Sequence, residues 1–293
     1  MFKTLKHLLA LLGLILPLGL ASTAQAAEPT RFTVEVRGKG PDVILIPGLA
    51  SSRDVWAATA KQLEGRYRVH LIQVAGFAGL PAGGNAEGGV VEPLADEIVA
   101  YIASRRLDHP AIIGHSMGGF TALLIASHHP ESVGRVMVVD ALPFFSVLIN
   151  PESTAETIAP QAAGFRDMVL GQSPEAFAAG QTRTMEGLIK TPAARPQAVA
   201  WSLATDRGVM ARATYDVMTN DLRGDLAGIK TTVTVLYARD PEMGYVYGIV
   251  GLIYESNYAA LPGVKLRPVN GAFHFVMLDQ REAFAAEVET FLH

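Results

Sequence analysis

Residues 110–126 constrain this chain more than any other stretch. The apolar run 111–113 has the composition of a buried strand, and it stops at Gly114-His115-Ser116-Met117-Gly118. A helical pattern follows over residues 119–126. A strand that turns into a helix this abruptly needs glycines where the two elements touch, because a Cβ there would meet backbone. The turn holds its apex residue, Ser116, in a strained conformation with the hydroxyl exposed. The Met117 amide, at the start of the helix, has no partner within it and is placed to face a developing anion.

The rest of the chain alternates strands with helices. Residues 31–37 set Phe32, Val34 and Val36 against polar neighbours, the pattern of a half-exposed edge strand. Residues 43–46 and 136–139 are continuous apolar runs, as in strands covered on both faces. Further strands are expected at 67–74, 232–237 and 265–269. Helices are expected from the stripes Trp56, Ala60, Leu63, from Leu94, Ile98, Tyr101, Ile102, and from Phe284, Val288, Phe291. Ser51 or Ser52 is placed to cap the first of them. This order predicts an α/β fold: a mostly parallel central sheet with helices on both faces. In such sheets the functional groups gather at the carboxyl ends of the strands. Leu49, Ser116, Asp240 and His274 each follow an apolar run, so one rim is expected to collect them.

Between 143 and 223 no buried-strand pattern appears. Pro151, Pro160, Pro174, Pro192 and Pro196 separate helical stretches rich in aromatic and methionine residues. This reads as a helical cap inserted between core strands. The expected organisation is core 27–142, cap 143–223 and core 224–293. Because the cap leaves the strand beside the Gly114–Gly118 turn, Phe144, Phe145 and Trp201 or its neighbours are candidates to line an apolar pocket over Ser116. A helical stretch is expected over 245–261, and its very apolar part 245–254 reads as buried rather than as a self-association face, which leaves a homodimer as the minor alternative.

Composition narrows the chemistry. The 293 residues are 49% hydrophobic and 18% charged, with net charge −4 and no cysteine. Thiolate nucleophiles, disulfides and Cys-ligated zinc are excluded. The charges are mixed, without the basic stripe a nucleic-acid partner requires. The glycine-rich run 76–89 lacks the spacing of a phosphate-binding loop and reads as a surface loop. No His-Glu-x-x-His motif occurs, and neither a metal nor a cofactor is expected. At the N-terminus Lys3 and Lys6 precede an apolar run of 13 residues, 8–20, and Ala24-Gln25-Ala26 fits a small-x-small cleavage site. Residues 1–26 therefore read as a secretory signal peptide cleaved near Ala26, with a periplasmic or secreted mature protein free of stable membrane insertion. An uncleaved anchor is the alternative.

Ile46-Pro-Gly-Leu49, Gly114-His-Ser-Met-Gly-Gly119, Tyr237-Ala-Arg-Asp240 and Phe273-His-Phe-Val-Met-Leu-Asp279 together resemble the α/β-hydrolase family. The likeness covers nearly everything after residue 26. It implies a Ser116 nucleophile on the family's elbow, a His274 base and an acid, in the order serine, acid, histidine. The acid is expected to be Asp240, with Asp140, which also ends a strand, as its competitor. The amides of Leu49 and Met117 are expected to form the oxyanion hole, although Pro47-Gly48 stands where many relatives have His-Gly. His115 is expected to point away from Ser116, His128 and His129 to end a helix, His70 to lie in a strand, and Asp279 to cap the last helix. Serine rather than aspartate at the apex favours acyl transfer over an alkyl-enzyme route. The function implied is hydrolysis of a small, fairly apolar carboxylic ester. A lactonase, C–C hydrolase or cofactor-free perhydrolase on the same residues, or a non-catalytic ligand-binding member of the fold, remain the alternatives.

Overall fold

The computed structural model describes residues 28–293; the expected signal peptide and its cleavage site lie outside the described residues. Seven strands form one sheet: β1 (Phe32–Arg37), β2 (Asp42–Ile46), β3 (Arg68–Val74), β4 (Ala111–His115), β5 (Arg135–Val139), β6 (Thr232–Arg239) and β7 (Lys265–Asn270). Their spatial order is β1-β3-β2-β4-β5-β6-β7. β1 runs antiparallel to β3, and every other pairing is parallel.

The period-two alternation of side chains sorts each central strand between two cores. Ile44, Ile46, Ile112, Val136 and Val138 enter one cluster, while Val43, Leu45, Ile113, Met137 and Val139 enter the other. Helices cover both. α2 (Val91–Ser104) and α3 (Met117–His128) pack in the first cluster, and α10 (Arg281–Leu292), which follows the short α9 (Val276–Asp279), places Phe284, Val288 and Phe291 in the second. Trp56 stacks on Phe284 at 6.0 Å and joins the latter cluster beside α1 (Ala57–Leu63). Ser52, rather than Ser51, accepts the Asp54 amide and caps the turn that leads into α1.

Between β5 and β6 the chain forms α4 (Ala155–Gly171), α5 (Pro174–Leu188), α6 (Arg195–Leu203) and α7 (Arg207–Thr219). Thr154, Ser173 and Asp206 cap α4, α5 and α7 through their side-chain oxygens. Asp216 on α7 accepts the Val90 and Val91 amides where α2 begins, so this insertion is hydrogen-bonded to the helix beneath it. Helix α8 (Tyr245–Asn257) departs from the expected full burial. Val250 and Tyr254 are buried, but Tyr245 is 82% and Leu252 64% exposed. No helix among the described residues is long and apolar enough to cross a membrane.

Candidate active site

Ser116 sits between β4 and α3 at φ 52°, ψ −121°. The flanking glycines are a steric requirement. A Cβ on Gly114 would lie 2.1 Å from the Gly118 carbonyl oxygen, and one on Gly118 would lie 2.4 Å from that of Ile46. Strand, helix and the end of β2 therefore meet backbone to backbone. The Ser116 amide donates to Val139 on β5, and its carbonyl accepts from Phe120, which pins the apex on both sides. Ala50 and Asp140 share its left-handed backbone, at φ 53° and 52°. Such strain persists only where the surroundings enforce it.

His274 lies in the loop after β7. Its Nδ1 is 2.7 Å from Asp140 Oδ2, so Asp140 and not Asp240 is the carboxylate beside the imidazole. Asp140 directly follows β5, and its amide donates to Leu236 on β6. Its Oδ1 accepts from the Ala238 amide and the Tyr254 hydroxyl, both at 2.9 Å. Burial, and next the Asp140 charge, push the Tyr254 phenol well above its ordinary pKa, so it stays a donor. With Nδ1 engaged, the Nε2 nitrogen of His274 has no protein partner among the described residues.

Asp240 is held elsewhere. It caps the turn Pro241–Met243 by accepting the Glu242 amide, and it accepts from Lys190 Nζ at 2.6 Å. Burial opposes its ionisation, but the Lys190 ammonium and the Glu242 amide hold its pKa below the usual value. The sequence carries a trace of this. Asp240-Pro241-Glu242 is the pattern of an N-cap followed by proline at the first position, which commits the carboxylate to local backbone. Asp279 does not cap α10. It accepts the amides of Phe273, Lys190 and Thr191, joining the His274 loop to the end of α5.

His115 is fully buried. It donates Nε2–H to the His274 carbonyl at 2.9 Å, and its ring lies 4.6 Å from that of His274. Burial, with the His274 charge adding to it, drives its pKa well below the ordinary histidine value, so the ring is neutral. Nδ1 is then the bare nitrogen, and it has no partner. It abuts Gly48, where a Cβ would come within 2.8 Å of it. Three other histidines weighed in the sequence have places of their own: His70 in β3 bonds Asp42 and Tyr101, while His128 ends α3 and His129 follows it.

A cavity of ≈ 590 Å³ gathers Leu49, Ser116, Met117, Asp140 and His274. Among the described residues neither the Leu49 nor the Met117 amide donates to a protein acceptor. From the insertion come Phe145, Leu148, Gln181, Met185, Ser202 and Met210. Two expected lining residues are absent from it. Phe144 is fully buried in the core with the Arg223 guanidinium 4.7 Å over its ring. Trp201 packs against the core cluster around Val43 and Leu45, and its neighbour Ser202 takes the place in the cavity. Adjacent helical positions point about 100° apart, so a one-residue error exchanges wall for core. No group of three or more His, Cys, Asp or Glu side chains suited to a metal occurs among the described residues.

A family model described as the alpha/beta hydrolase fold matches residues 41–207, more than half of the chain. The chain belongs to the α/β-hydrolase family. It is 33% identical over 158 residues to a pimeloyl-acyl-carrier-protein methyl ester esterase of Aeromonas hydrophila, covering 53% of this chain and 59% of that protein. A protein of the same name from Aliivibrio fischeri matches over 278 residues at 24% identity, covering 88% of this chain and 96% of its own length. A thermophilic esterase from Thermogutta terrifontis superposes with a TM-score of 0.73 at 18% identity, covering 92% of this chain and 98% of that one; at that identity the likeness is one of fold.

Proposed function

We propose that the chain is a serine hydrolase that cleaves a small, uncharged, fairly apolar carboxylic ester through an acyl-enzyme. The observation that carries this reading is the 2.7 Å contact of His274 Nδ1 with Asp140, on the same cavity as Ser116. The Ser116 hydroxyl is a poor nucleophile without a base. His274 Nε2 takes its proton as Oγ attacks the ester carbonyl, and Asp140 holds the imidazole in the required tautomer and stabilises its cation. The Met117 and Leu49 amides receive the oxyanion, each such donor contributing about 3 kcal/mol of transition-state stabilisation. The imidazolium then protonates the leaving alcohol, and water releases the acid by the same steps in reverse. The relatives' name directs the first assays to methyl esters of aliphatic acids.

The test is a panel of p-nitrophenyl and methyl esters run with the wild type and Ser116→Ala, together with labelling by a fluorophosphonate. Ester turnover that falls by roughly four to six orders of magnitude in Ser116→Ala supports the reading. Folded wild-type protein that neither labels at Ser116 nor cleaves any ester sinks it. The N-terminal pattern supports export to the periplasm or medium as a further part of this proposal. Fractionation and N-terminal sequencing of the mature chain decide that point, and a cytoplasmic protein retaining Met1 overturns it.

A further inference from the structure

Helix α5 presents Gln181, Thr184, Met185, Gly187 and Leu188 to the cavity, while Phe177, one turn earlier, is buried in a neighbouring apolar cluster. Gln181 is the longest polar side chain among them. A half-buried amide beside apolar neighbours loses hydration unless it finds partners. Gln181 has one. Ser202 on α6, fully buried, donates its hydroxyl to Gln181 Oε1 at 2.6 Å. That bond orients the carboxamide, because it assigns the oxygen to Ser202 and leaves the two Nε2 hydrogens with no protein acceptor among the described residues.

Charge around the cavity completes the picture. Among the described residues its lining includes the carboxylates Asp140 and Glu242 but no lysine or arginine. Lys190, a cation near it, is engaged by Asp240 and Glu242. A free carboxylate on a bound substrate would therefore be desolvated with no opposite charge to meet it.

We infer that Gln181, oriented by Ser202, is a specificity-determining residue that donates to a second, uncharged acceptor on the substrate, so that the preferred substrates are acyl esters carrying a further ester, thioester, amide or ketone carbonyl. This rests on the esterase reading of the site and names the substrate class for it. Ser202 acts through Gln181 and is a positioning residue.

The experiment compares dimethyl esters of straight-chain diacids with methyl esters of monoacids of equal length and with the corresponding half-esters. The readout is the ratio of kcat/KM values, in wild type, Gln181→Leu and Ser202→Ala. The wild type is expected to favour the best diester over the matching monoester by about tenfold, the worth of one neutral hydrogen bond, and over its half-ester by at least as much. The diester preference is expected to fall to about one in Gln181→Leu and to an intermediate value in Ser202→Ala. A wild-type ratio near one, a ratio unchanged in Gln181→Leu, or a preference for the half-ester overturns the proposal. Parallel calorimetry with Ser116→Ala and Ser116→Ala/Gln181→Leu reads the same preference as dissociation constants. Failure of the esterase reading therefore shows as no turnover of any ester, while failure of the Gln181 role shows as equal binding of diester and monoester.

Discussion

His115 donates its Nε2–H to the backbone carbonyl of His274 across 2.9 Å, so the residue before Ser116 is tied to the backbone of the histidine whose ring faces the same cavity. The two lie 159 residues apart in sequence, one ending β4 and the other in the loop after β7. The bond fixes the His274 loop against the elbow independently of the Asp140 contact on the ring itself.

Replacing His115 separates this positioning from simple packing. His115→Gln keeps a donor at nearly the same reach, whereas His115→Phe keeps the ring volume and loses the donor. The Phe variant is expected to lower kcat by about 10- to 100-fold with KM little changed, the signature of lost orientation. The Gln variant is expected to recover most of it. Steady-state kinetics on one ester decides, and equal losses in both variants would leave the bond without a role in turnover.

The two aspartates make opposite predictions. Asp140→Asn is expected to lower kcat by about 10⁴-fold, because the imidazole loses its orienting anion. Asp240→Asn removes the partner of Lys190 and alters the cap of the Pro241–Met243 turn. It is expected to lower the melting temperature by a few degrees and kcat by less than about tenfold. Reversal of the two kinetic effects would reinstate Asp240 as the acid.

Gly118→Ala is expected to destabilise the fold by about 3 kcal/mol, the upper end of the usual overpacking cost, because the new Cβ meets the Ile46 carbonyl, which is backbone and cannot swing away. Chemical denaturation of the variant against the wild type measures this. Gly164→Ala, where nothing lies within 4 Å of the added atom, is the control and is expected to be neutral or slightly stabilising, since it also adds helix propensity within α4.

Acid should destabilise the protein before its carboxylates protonate. Burial lowers His115 well below its ordinary 6.5 and, as the leading cause, lowers His70 as well. Below pH 6.5 the unfolded chain takes up protons that the folded chain refuses. Their stabilising contribution is therefore fully present above pH 6.5 and is lost as pH falls toward the depressed folded values, at no more than about 1.4 kcal/mol per pH unit per histidine. Urea midpoints between pH 7 and 5 test this. A slope that is flat there, or unchanged in His115→Gln, contradicts it.

The elbow was legible because every requirement on it is local. Apolar residues before the turn, glycines at its two contacts and a serine at its apex lie within a few residues, and the sheet follows from runs such as 43–46 and 136–139, whose length and composition mark strands buried on both faces. The placement of His274 on the rim followed from the same alternation of strands and helices. The choice of acid did not. Asp140 and Asp240 end neighbouring strands β5 and β6, and both follow an apolar run. Which of them meets the imidazole depends on the path of the loop after β7, on Tyr254 arriving from α8, and on Lys190 arriving from the insertion to occupy the other. The exchange of Trp201 for Ser202 on the cavity wall has a related origin, since helix rotation about its axis is set by the surface it packs on. Local pattern determines which element forms; long-range packing determines which of its candidate side chains it presents to the site.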